Sequence, residues 1–89
     1  GYADGYSRAM SNCGEVLIAG KLYPVAGRVC MDQTMINLGK KTDIQLYDEV
    51  TLFGPNPAGP DAEELADITG TISYEITCGI SARVPRVYI

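Results

Sequence analysis

Apolar and polar residues alternate through most of the chain, which is the two-residue period of half-buried strands. Glu15–Ala19 and Leu22–Ala26 are β-prone runs. Gly20-Lys21 between them predicts a two-residue type II′ hairpin turn with glycine first. Val29–Leu38 predicts a longer strand, GKKT at 39–42 a turn, and Asp48–Phe53 a further strand. The opening GYADGYSRAMSN, Gly1–Asn12, is rich in Gly, Asp, Ser and Asn and reads as a loop or broken strand. GPNPAGP, Gly54–Pro60, holds three of the chain's five prolines and predicts a rigid loop.

Beyond Pro60 the period lengthens. In DAEELADIT, 61–69, Asp61 and Glu64 stand at capping-box spacing, and Ala62, Leu65, Ala66 and Thr69 share one face. That predicts a short helix ended by Gly70. TISYEITCGI fits two periods at once. Ile72, Tyr74, Ile76, Cys78 and Ile80 alternate as in a strand, whereas Ile72, Ile76 and Ile80 lie four apart, with Thr71 able to cap and Gly79 able to stop a helix. The pattern leaves both open. Ser81–Ile89 reads as a strand that Pro85 confines to an edge or bulge. The fold class expected is mainly β: a small Greek-key-type barrel with one or two short helices, near 61–69 and 72–78.

Composition narrows the function. Eighty-nine residues make one domain with one modest core. A net charge of −4 with seven scattered basic residues argues against a nucleic-acid partner. No apolar run is long enough to span a membrane. Three widely spaced cysteines, Cys13, Cys30 and Cys78, form neither a disulfide framework nor a CxxC pair, which points to a reducing, cytoplasmic setting. Histidine is absent, so the commonest metal ligand and the commonest general base are both missing. No metal site is expected.

The chemistry that remains sits in two stretches. In GRVCMD, 27–32, Arg28 can clamp a carboxylate or phosphate with its fork of donors, or form a surface ion pair with Asp32 or Asp48. Met31 is ordinary core filler by type. Its backbone N–H on an irregular loop can nevertheless bind a carboxylate. Nothing beside Cys30 lowers its pKa, so it reads as a buried structural thiol. Tyr2, Tyr6 and Tyr74 can supply phenol donors, or a tyrosinate base if a cation such as Arg8 is close. Otherwise they are half-buried aromatics with their hydroxyls at the surface. No complete catalytic set is present.

Taken together, GYADGYSR, SNCGEVLIAGK, GRVCMDQTMINL, DEVTLFG, TISYEI and RVPRVY, in this order, resemble the C-terminal domain of alanine racemases. The resemblance runs over nearly all of residues 1–89. The chain departs from the family at Tyr47, where a glycine is usual. The resemblance implies a pyridoxal-phosphate-dependent isomerase that interconverts L- and D-alanine for peptidoglycan. It also implies an N-terminal (β/α)8 barrel and a head-to-tail homodimer in which this domain closes over the partner's barrel mouth. It further implies a short helix at TISYEI.

By the same resemblance, the Met31 N–H binds the substrate carboxylate. Tyr2, Arg8, Arg28 and Tyr74 line the entrance, and the Tyr74 hydroxyl reaches the cofactor phosphate. The family's catalytic tyrosine would precede Gly1 and its cofactor lysine lies in the barrel. No catalytic residue is therefore assigned here, and the isolated chain is expected to be inactive and mostly monomeric. A related racemase, for example of serine, and a non-catalytic dimerisation or binding module are the alternatives. A barrel-length upstream sequence with a cofactor lysine would discriminate against the module.

Overall fold

The computed structural model describes residues 1–88. Strands β1 (Glu15–Ile18), β2 (Lys21–Pro24) and β3 (Val50–Thr51) form an antiparallel sheet in the order β2-β1-β3. Helices α1 (Ala62–Thr69) and α2 (Ser73–Cys78) follow, and two 3₁₀ turns, Tyr2–Asp4 and Arg8–Met10, precede the sheet.

β1 is the centre of the fold. Val16 and Ile18 enter the core with Tyr6, Met10, Val25, Val29 and Leu65. Leu17, on the opposite face, is also buried, because the proline-rich loop lies over it. That loop is tied to itself: the Gly54 N–H donates to the Pro60 carbonyl at 3.0 Å and the Gly59 N–H to the Asn56 carbonyl at 3.0 Å. β1 therefore loses the alternation of a half-exposed strand and reads as buried on both sides.

The hairpin turn differs from the expectation. Ile18 pairs with Lys21, so the turn residues are Ala19 and Gly20. Both have positive φ, 51° and 77°, which is the type I′ pattern and not type II′. α1 follows the sequence closely. The Asp61 carboxylate accepts from the Glu64 N–H at 2.9 Å, and Gly70 ends the helix in the left-handed region. The second ambiguous segment is helical over Ser73–Cys78, with Ile76 packed on the core. Ile72 occupies its N-cap position, so Thr71 does not cap it, and Gly79 at its end is right-handed.

The Greek-key-type barrel expected is not shown: the described residues form a three-stranded antiparallel sheet with two short helices, and three of the predicted strands account for the difference. Val29–Leu38 is turned back on itself: the Cys30 N–H donates to the Gln33 carbonyl at 2.9 Å, leaving Met31 and Asp32 in a bend. Its second half runs beside the end of β2 through Ala26 N–H to Met35 O and Asn37 N–H to Pro24 O, with a single bridge between Val25 and Ile36. Asp48–Phe53 contributes only Val50–Thr51.

No strand forms over the described part of Ser81–Ile89; Ile89 lies outside the described residues. Here the Arg86 guanidinium donates to the carbonyls of Ile80, Ser81 and Val84 at 2.6–2.9 Å. It takes up acceptors that a ladder would need, and Pro85 offers no N–H in return. No helix among the described residues is long and apolar enough to cross a membrane.

Candidate functional site

GYADG makes sense through its two glycines. A Cβ on Gly1 would collide with the Cys30 and Met31 carbonyls, because the Tyr2 and Ala3 N–H groups donate to those same two oxygens at 2.9 and 3.0 Å. A Cβ on Gly5 would come within 2.6 Å of the Gly79 carbonyl oxygen, and Gly5 has φ of 113°, a conformation side-chain-bearing residues avoid. The Ser81 N–H donates to the Asp4 carbonyl at 3.1 Å. Three segments distant in sequence, 1–5, 30–33 and 79–83, thus converge on one place.

Met31 sits at the crest of the 30–33 turn and is half exposed, 53%. Its carbonyl is used by Ala3. Its N–H has no acceptor among the described residues. A turn amide without an internal acceptor, on a bend whose flanks are fixed, is a preorganised donor for an anion.

Arg8 and Arg28 are brought together by a small polar staple. The Ser11 hydroxyl donates to the Arg8 carbonyl at 2.6 Å and accepts from the Val29 N–H at 2.8 Å. Asn12 and Gly27 exchange two hydrogen bonds, Asn12 N–H to Gly27 O at 2.9 Å and Gly27 N–H to Asn12 Oδ1 at 2.8 Å. Together they set the second 3₁₀ turn against the irregular segment that carries Arg28. The two arginines line one open concavity of about 370 Å³ with Ala9 and Ser11.

The surface ion pair considered for Arg28 does not form. Asp48 caps the Gln45 N–H, and Asp32 pairs with Arg83 at 2.6 Å. Among the described residues Arg8 and Arg28 are in no salt bridge. Two guanidiniums that share a hollow without a carboxylate form a positive rim suited to anions.

The tyrosines separate into three environments. Tyr2 is partly exposed, and its backbone is bonded to the 30–33 turn. Tyr74 projects from α2 with 76% exposure, and no described contact joins it to Met31 or to the arginine pair. Tyr6 is fully buried and its hydroxyl has no partner among the described residues. Burial, helped by the nearby Cys13, pushes its pKa up to about 12. It is neither a surface phenol nor a base held ready by Arg8, which corrects both readings of its sequence context. Cys30, expected to be buried, is exposed, as are Cys13 and Cys78. The turn at 31–32 lifts Cys30 out of the core, and Val29 takes the buried position instead.

The residue that the sequence did not single out is Arg83. Its guanidinium reaches Asp32 at 2.6 Å and Asp4 at 3.2 Å, and these partners hold its pKa above the usual arginine value. No local signal marks it, since Asp32 lies 51 positions away.

Comparison with known proteins shows the family of the chain. The family model described as "Alanine racemase, C-terminal domain" matches residues 1–88. An alanine racemase of Geobacter sulfurreducens is 54% identical over 91 residues, covering 100% of the chain and 24% of that protein. The crystal structure of alanine racemase from a D-cycloserine-producing Streptomyces lavendulae superimposes with a TM-score of 0.91 at 44% identity, over 100% of the chain and 23% of that one. A Bartonella henselae alanine racemase with covalently bound pyridoxal phosphate superimposes with a TM-score of 0.81 at 37% identity, over 100% of the chain and 25% of that one. The chain spans about a quarter of the length of these relatives.

Proposed function

The chain belongs to the alanine racemase C-terminal domain family, and from that premise we propose that it is the substrate-facing β domain of a pyridoxal-phosphate-dependent alanine racemase. The Met31 N–H, without an acceptor among the described residues and carried on a turn pinned to the Tyr2–Asp4 3₁₀ turn, supports this reading. It takes the substrate carboxylate of a site completed by the barrel of a partner subunit in a cytoplasmic homodimer. Arg8 and Arg28 draw the anionic end of the amino acid inward. Tyr2 and Tyr74 narrow the entrance. D-alanine for peptidoglycan is the product this role serves.

The residues present fit a contribution to the cofactor, not a cradle for it. The exposed Tyr74 phenol is free to donate to a phosphate oxygen, whereas Lys21, Lys40 and Lys41 all lie at the exposed surface. When bound, the cofactor supplies an electron sink for the carbanion left by loss of the Cα proton. The part played by this chain is to bind and orient. The Met31 N–H fixes one carboxylate oxygen, which sets the Cα–H direction. The buried, high-pKa Tyr6 takes no part in proton transfer.

The test is racemisation of alanine by the chain joined to its natural upstream sequence, compared with the 89-residue chain alone. The joined protein should interconvert the enantiomers in a cofactor-dependent way, and the short chain should be silent. Turnover by the short chain alone, or a joined protein inactive on alanine, would refute the assignment.

A further inference from the structure

We propose that Arg83 is the positioning residue for the Met31 amide. This rests on the reading that the amide takes the substrate carboxylate. Met31 lies between Cys30, whose N–H is bonded to Gln33, and Asp32, whose carboxylate is bonded to Arg83. The backbone of the turn is thus held at its base and through the Met31 carbonyl, and among the described residues the Asp32–Arg83 pair is the side-chain contact that holds its crest. The same guanidinium reaches Asp4, whose backbone carbonyl accepts from Ser81 and whose 3₁₀ turn anchors the Met31 carbonyl through Ala3. One side chain therefore joins all three converging segments.

Arg83 is itself set in place. Its N–H donates to the Ser81 hydroxyl at 3.3 Å, and Arg86 fastens the surrounding carbonyls of Ile80, Ser81 and Val84. Arg83 is 55% exposed, Asp4 31% and Asp32 59%. Ion pairs this open contribute little to stability. What a fork reaching two carboxylates fixes here is the orientation of a short turn, and the turn holds the one donor the site depends on.

The experiment uses the intact racemase that carries this domain. In Arg83→Met, KM for alanine should rise about tenfold while kcat changes less than about threefold, the split expected when a ground-state contact is misplaced. Asp32→Asn, nearly isosteric, should do the same, and the double variant should be no worse than either single one. Arg83→Lys should recover part of the loss, because an ammonium reaches one carboxylate but not both. Unchanged KM in both Arg83→Met and Asp32→Asn overturns the proposal. Where Arg83→Met fails to fold, Asp32→Asn alone decides. Replacing the Met31 amide by an ester removes the N–H and also weakens the Cys30 carbonyl as acceptor for the Tyr2 N–H, a bond that Tyr2→Pro removes by itself as the control. A KM raised in the ester above the control's supports the carboxylate reading whatever Arg83 does, and one no higher than the control's removes that reading and this proposal with it.

Discussion

Tyr6 and Tyr47 both lie in irregular backbone near an acidic residue, yet Tyr6 is 4% exposed and Tyr47 102%. The segments around them differ in where their hydrogen bonds go. Around Tyr6, backbone groups of Tyr2, Ala3, Asp4 and Asn12 bond to residues of 27–31 and 81. Around Tyr47, the bonds are local: Gly39 N–H to Asn37, Ile44 N–H to Thr42, Gln45 N–H to Asp48, and Asp48 N–H to Gln45. Of that arm, Leu38 and Ile44 pack against the core. Irregular backbone becomes a rigid platform when its polar groups are satisfied across the fold, and remains a surface arm when they are satisfied next door. Met31 and the arginine pair adjoin the first kind.

The sharpest way to break this contrast is Gly5→Ala. The added methyl meets the Gly79 carbonyl in a conformation only glycine tolerates, so about 3 kcal/mol or more of stability should be lost in chemical denaturation. A loss near that of a surface substitution would show that the 1–5 and 79–83 segments are not held together as described.

Alkaline pH should attack the same region next. The Tyr6 phenol titrates near 12 in the folded protein and near 10 when unfolded, so the folded state holds its proton more tightly. The associated stability is complete below pH 10 and falls by about 3 kcal/mol as pH rises to about 12. Tyr6→Phe should abolish that part of the alkaline loss. At neutral pH it should be neutral or stabilising, because it removes a hydroxyl that has no partner. Phenolate absorbance alongside denaturation separates Tyr6 from the exposed tyrosines.

The smallest effect has the opposite sign. Tyr47 has φ of 70° and buries nothing, so Tyr47→Gly should relieve left-handed strain and raise stability by up to about 1 kcal/mol. A clear loss in thermal unfolding would show that Tyr47 itself has tertiary contacts.

Much of this was legible from residue order. Asp61 and Glu64 announced the α1 cap, and the Glu15–Ala26 pattern announced the hairpin. Tyr47, where the resemblance has glycine, takes a positive φ of 70°. The hairpin turn was displaced by one residue because Ala19 takes a positive φ that its type does not signal. Strand predictions over 29–38 and the described part of 81–89 failed because β-prone residues there answer to a turn at 31–32 and to the Arg86 contacts.

The sequence by itself determined the local elements and, through GYADGY and GRVCMD, the family, because caps, turns and short motifs depend on residues within a few positions of each other. Only the tertiary structure decided that the sheet has three strands, that Tyr6 is buried with its hydroxyl unpaired, and that Asp32 turns to Arg83 and leaves Arg28 beside Arg8. Those outcomes depend on contacts between segments tens of residues apart. Burial and the competition for partners are set there by the whole packed molecule, and no short stretch of the chain carries that information.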